Sequence, residues 1–118
     1  MTVRQAVERI DSIVRNTYTT EEKVFWLSNL DAQIATFILD TFPPYKEQYE
    51  MNMDCGLLAE PPFDMMYIHW LEAQIAYANG EIDRYSNAIS VYQQEYDSYA
   101  NYIARNRNRD TVTTIKYF

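Results

Sequence analysis

The sequence predicts a mainly α-helical fold: a small helical domain built around one long C-terminal helix, with a short β-strand at the C-terminal end. Three observations carry this. Between Pro62 and about Arg105 the apolar residues Leu71, Ile75, Ala78, Ile82, Tyr85, Ile89, Tyr92, Tyr96, Tyr99 and Ile103 recur at alternating steps of four and three, a heptad-like stripe that one face of a long helix produces. Only two glycines and four prolines occur in 118 residues, too few for a turn-rich all-β chain, and the 47% hydrophobic content is that of a folded protein. The segment 111–118, Thr-Val-Thr-Thr-Ile-Lys-Tyr-Phe, is rich in β-branched and aromatic residues, the composition of a strand.

In chain order, Thr2 and Gln5 have the spacing of a capping box, and Val3, Ala6, Val7, Ile10, Ile13 and Val14 follow at helical intervals, so a first helix is expected to end near Arg15 or Asn16. Thr19 and Glu22 form a second box, with Glu21 and Glu22 in the first turn where the helix dipole favours negative charge. Val24, Leu27, Leu30, Ile34, Phe37 and Ile38 continue as its buried stripe, widened by Phe25 and Trp26. Pro43 and Pro44 cannot continue a helix, which places its end near Asp40 or Thr41. Residues 43–60 have no clean period and read as a long connection, with an extended piece at Leu57-Leu58; long connections in small domains are often contact loops. Pro61 and Pro62 announce the long helix. Asn79-Gly80 is its one weak point, a kink or a junction, but the stripe keeps its phase through it, which favours continuity. At about 1.5 Å per residue the stripe would be roughly 48 Å long, more than the core of so small a domain needs, and a helix of that length asks for a partner. The chain is read as one domain, 1–118, with 106–118 as a candidate extended tail; a lone strand there would find its pairing edge on another molecule.

The net charge of -7 argues against wholesale attraction to nucleic acid, but the charge is unevenly placed. Residues 17–60 sum to -6 and residues 61–99 to -5, whereas residues 100–118 sum to +3: an acidic body with a basic tail. One cysteine, Cys55, excludes an internal disulfide. The first residues do not combine a basic segment with an apolar run and a small-residue cleavage site, and the longest apolar runs are far short of a membrane span, so a soluble protein made in the cytoplasm is expected.

Chemistry finds no foothold in the residue pattern. His69 and Glu72 could formally supply two metal ligands, but a single His cannot build a di-metal helical site, and a His hydrogen-bonded to a neighbour is the simpler reading. Cys55 sits among acidic residues that raise a thiol pKa and has no evident base. Phosphate-cradling loops and nucleophile elbows are missing. No catalytic, cofactor or metal residues are therefore expected. The informative residues are aromatic and basic. Tyr92, Tyr96, Tyr99 and Tyr102 cluster on the last turns of the long helix, where they either cap the chain's own core or form a subunit interface. Met51, Met53, Met65 and Met66 read as gap-fillers or as an adaptable contact patch. Ile115, Tyr117 and Phe118 are interface candidates in the strand. Arg105, Arg107 and Arg109 either complement the helix C-terminus or contact phosphate or an acidic partner.

The segment from Pro61 to Asn87 resembles the head-tail connector (head completion adaptor) proteins of tailed bacteriophages and prophages of Gram-positive bacteria. The resemblance lies in the prolyl-aromatic-Asp start Pro62-Phe63-Asp64, the core Leu71-Glu72-Ala73-Gln74-Ile75, then Asn79-Gly80-Glu81, and Arg84-Tyr85 followed by Asn87. Ser86 stands where the family has Asn directly after the Tyr. The run Thr19-Thr20-Glu21-Glu22-Lys23-Val24-Phe25-Trp26-Leu27-Ser28-Asn29-Leu30-Asp31 is similar to that family's second helix, so the similarity spans roughly residues 1–105. It implies a non-enzymatic virion protein at the head-tail interface. Such a subunit assembles with copies of itself into a ring, commonly twelvefold in the family, beneath the portal protein. The ring extends the channel through which DNA passes without sequence-specific binding, and it docks downstream head-tail connector proteins. Two other classes share this composition: a small helical regulator that binds a host or phage protein, and a DNA-binding module using Arg4, Arg9, Arg105, Arg107 and Arg109, for which no basic recognition helix is visible.

Overall fold

A computed structural model describes the backbone of residues 1–116 and the side chains as far as Arg107. The described chain is mainly helical, in the order α1 (Val3–Ile13), α2 (Thr20–Gln33), a π-helical segment (Ile34–Leu39), α3 (Lys46–Met51), α4 (Met65–Asn79) and α5 (Ile82–Lys116).

Both capping boxes form as their spacing requires. Thr2 Oγ1 accepts the Gln5 N–H at 3.1 Å while Gln5 Oε1 accepts the Thr2 N–H at 2.9 Å, and Thr19 with Glu22 repeats the exchange. Helix α1 ends two residues before the expected stop and buries Val3, Ala6, Val7 and Ile10, leaving Ile13 outside. Two of the N–H groups that a helix start leaves free are taken by the connection: Val3 N–H donates to the Cys55 carbonyl at 3.1 Å and Arg4 N–H to that of Met53 at 2.7 Å. Beside them Thr2 and Gly56 form an isolated antiparallel bridge, so the extended piece lies at Gly56, next to the expected Leu57-Leu58. Lys23, almost fully buried between α1 and α2, reaches Asp11 at 2.6 Å.

Except for Phe25, expected to widen it but exposed, the expected stripe of α2 holds as far as Ile34. Beyond it the backbone widens to a π-helix, whose larger turn breaks the 3.6-residue phase. Ile34, Ala35 and Ile38 stay buried, whereas Phe37, expected in the core, is rotated outward and is 77% exposed. Asp40 closes the segment in the left-handed region at φ 53°, a conformation its short polar side chain tolerates. The connection that follows holds a short helix, α3, that its lack of period concealed; Lys46 and Glu50, 3.0 Å apart one turn along it, bridge its exposed side.

The long helix is broken, which corrects the expected continuity. Gly80, at φ 74°, ends α4: its N–H donates to the Tyr77 carbonyl at 3.1 Å and the Glu81 N–H to that of Ala76 at 2.9 Å, the paired bonds of a Schellman motif. Helix α5 then folds back antiparallel on α4. Aromatic pairs mark the register: Tyr77 against Tyr85 at 5.4 Å, Trp70 against Tyr92 at 4.9 Å and Phe63 against Tyr99 at 5.4 Å between ring centroids. The partner that the stripe asked for is its own first half. Helices α1 and α2 pack across α4, and Trp70 Nε1–H donates to the Trp26 carbonyl at 2.8 Å.

The C-terminal strand is also corrected. No strand occurs among the described residues; α5 includes residues 111–116, while Tyr117 and Phe118 lie outside the described residues. Each β-branched residue costs a helix at most about 0.7 kcal/mol, whereas a lone strand leaves its backbone without ladder partners, so prolonging a helix that bonds its own backbone wins.

Candidate interaction surfaces

The groups with chemical potential are occupied structurally. His69 on α4 shares a hydrogen bond through Nδ1 with Glu95 of α5, both half-buried, and so buttresses the two helices. Cys55 is half-buried and its thiol is pushed up, chiefly by burial, which keeps it out of the thiolate form. Among the described residues no group of three His, Cys, Asp or Glu side chains could hold a metal ion.

Among the described residues the one buried carboxylate is Asp31, 0% exposed, on α2. Its Oδ1 accepts the Tyr67 hydroxyl at 2.6 Å, and its Oδ2 accepts the Tyr49 hydroxyl and, at 3.2 Å, the Leu58 N–H. Tyr67 Oη in turn accepts the Ala59 N–H at 2.8 Å. Burial raises the Asp31 carboxyl above the usual carboxylate range, and the three donors oppose that shift. Burial, followed by the neighbouring Asp31 charge, also raises the hydroxyls of Tyr49 and Tyr67. This cluster ties α3, the connection and α4 to α2, sealed from solvent, and no substrate could reach it.

The expected interface tyrosines divide. Tyr92 and Tyr99 are buried in the chain's own core, Tyr96 is half-buried against it, and Tyr102 is exposed, stacked on Phe63 at 5.0 Å. Phe63, Tyr99 and Tyr102, with Leu39, Pro62 and Ile103, line a groove of about 500 Å³. Next to it Phe37, Ile38, Ala100, Ala104 and Arg107 line a shallower dish. Arg105 and Arg107 are exposed at this end; the side chains of Arg109 and Ile115 lie outside the described residues, as do Tyr117 and Phe118. Of the methionines, Met66 is core, Met53 and Met65 are partly buried against it, and Met51 is exposed.

Several exposed apolar groups escaped the sequence reading. Phe37 and Phe42, the latter 97% exposed, lie at the end of the π-segment, and Tyr77 and Ile82 flank the α4–α5 turn at 71% and 75%. Phe37 and Ile82 occupied stripe positions, so period alone assigned them inward; only the π-turn and the break at Gly80 turn them out. Against known proteins, no family model, curated protein or solved structure matches this chain.

Proposed function

We propose that the chain is a non-enzymatic structural subunit of a tailed-phage or prophage virion, a head-tail connector that forms a ring under the portal, extends the DNA channel and docks later head-tail proteins. The residues from Pro61 to Asn87 that resemble this family form α4, the turn at Gly80 and the start of α5, an antiparallel element suited to repetition around an axis. The observation that carries the reading is the number of large apolar side chains left exposed on a subunit with a closed core, Phe37, Phe42, Met51, Tyr77 and Ile82 among them. Groups of this kind at an otherwise polar surface mark protein contacts. The acidic body supports a channel role, since carboxylate walls repel the DNA backbone and let it slide.

Native mass spectrometry over a range of concentrations, alone and with a portal ring, tests this. A ring, or stoichiometric loading onto the portal, is the expected result. A monomer or dimer indifferent to the portal overturns the reading in favour of a small helical regulator.

A further inference from the structure

We propose that copies of this chain associate head to tail, with the α4–α5 turn of one copy docking Tyr77, Ile82 and Asp83 onto the dish that Phe37, Ala104 and Arg107 form on the next. This rests on the ring reading above and adds its polarity.

The two surfaces are complementary in shape and charge. The turn projects two large apolar side chains on either side of Gly80, and the dish is floored by Ala100 and Ala104, small residues one helical turn apart that leave room for them. At the turn Glu81 holds Arg84 at 3.0 Å, while Asp83 makes no ion pair among the described residues. At the dish Arg107 and the nearby Arg105 are likewise without ion pairs among the described residues. Among the described residues, the carboxylates Asp40 and Glu60 at that end line another pocket and the groove and not the dish. Along α5 the two surfaces stand roughly 33 Å apart, the rise over the residues from Ile82 to Ala104. One copy therefore cannot bring its own turn to its own dish. Two different patches meeting between copies make a heterologous contact, which closes into a ring where the rotation permits.

Two double variants test the polarity: Tyr77→Ser with Ile82→Ser at the turn, and Phe37→Ser with Arg107→Ser at the dish. All four side chains are exposed, and circular dichroism should show both variants folded. In sedimentation velocity at up to about 1 mM, the weak end of specific association, the wild-type chain should form species larger than a dimer. Each variant alone should stay monomeric. Their equimolar mixture should form dimers and nothing larger, because such a dimer joins the one good turn to the one good dish and ends in two spoiled surfaces. A variant that assembles like wild type, or a mixture that stays monomeric beside an assembling wild type, overturns the docking and leaves the ring reading standing. Portal binding by a wild-type chain that never self-associates does the same, whereas a chain that neither self-associates nor binds the portal overturns both.

Discussion

Asp31 stands in phase with Val24, Leu27, Ile34 and Ile38, where the α2 stripe calls for an apolar side chain. Its replacement by Ala would strand two tyrosine hydroxyls and the Leu58 N–H, at a cost on the order of 3–5 kcal/mol, measurable by urea unfolding. Asp31→Asn should cost far less, since the amide oxygen can still accept from Tyr49 and Leu58 while its N–H donates to Tyr67 Oη. The pH dependence separates the two states of the carboxyl. Because its folded pKa is raised, the native state holds the proton more tightly than the unfolded chain does. Its contribution to stability is therefore fully present below the ordinary carboxylate range and is lost as pH rises through the raised value. The Asn variant lacks that loss, so it should gain on wild type as pH increases; a constant difference would mean that Asp31 is not the titrating group. The stripe as read from the sequence left Asp31 out, although its spacing from Leu27 and Ile34 puts it there. Its partners were not legible, because Tyr49 sits on a helix that has no period to reveal it. The tyrosines of α5 permit a comparable test: Tyr99→Asp buries a charge and should cost several kcal/mol, seen as loss of the folded circular-dichroism signal, whereas Tyr102→Asp should leave the subunit folded.

At the scale of elements, Gly80 separates a hairpin from a rod. A Cβ there meets nothing within 4 Å, so Gly80→Ala is opposed by the left-handed backbone alone, about 1–2 kcal/mol. The melting temperature should fall by several degrees. In a continuous helix the same change would raise it, because Ala is the better helix former, so the sign of the shift decides between the two. The stripe predicted helix on both sides of the turn and the face that is buried, but a period that runs unbroken through a turn cannot reveal the turn. The Asn-Gly pair was the true signal, and Ala78 and Ile82, stripe members that the structure leaves exposed, show where the period stopped meaning burial. The capping boxes were fully legible because their information is local. The π-segment was not, since nothing in Ile34–Leu39 announces a wider turn.

Across the whole molecule, the described core ends at Ile103, one turn before α5 makes its last contribution to the groove at Asn106. Deletion from Asp110 onward should leave the thermal midpoint of the subunit unchanged; a truncated protein that melts lower would place stabilising contacts in the removed segment. The packing also has a temporal consequence. Helices α4 and α5 are neighbours in sequence and form the most extensive contact between elements, so their pairing closes only a short loop. Helix α1 depends on a connection about fifty residues downstream to cover its first N–H groups, and α1 and α2 both lean on α4. During synthesis α1 and α2 leave the ribosome with their apolar stripes only partly matched by each other, and they must wait until the Trp70 end of α4 has emerged. The first two helices are thus made before the element they pack on, and α4, in the middle of the sequence, is the one that lets them settle.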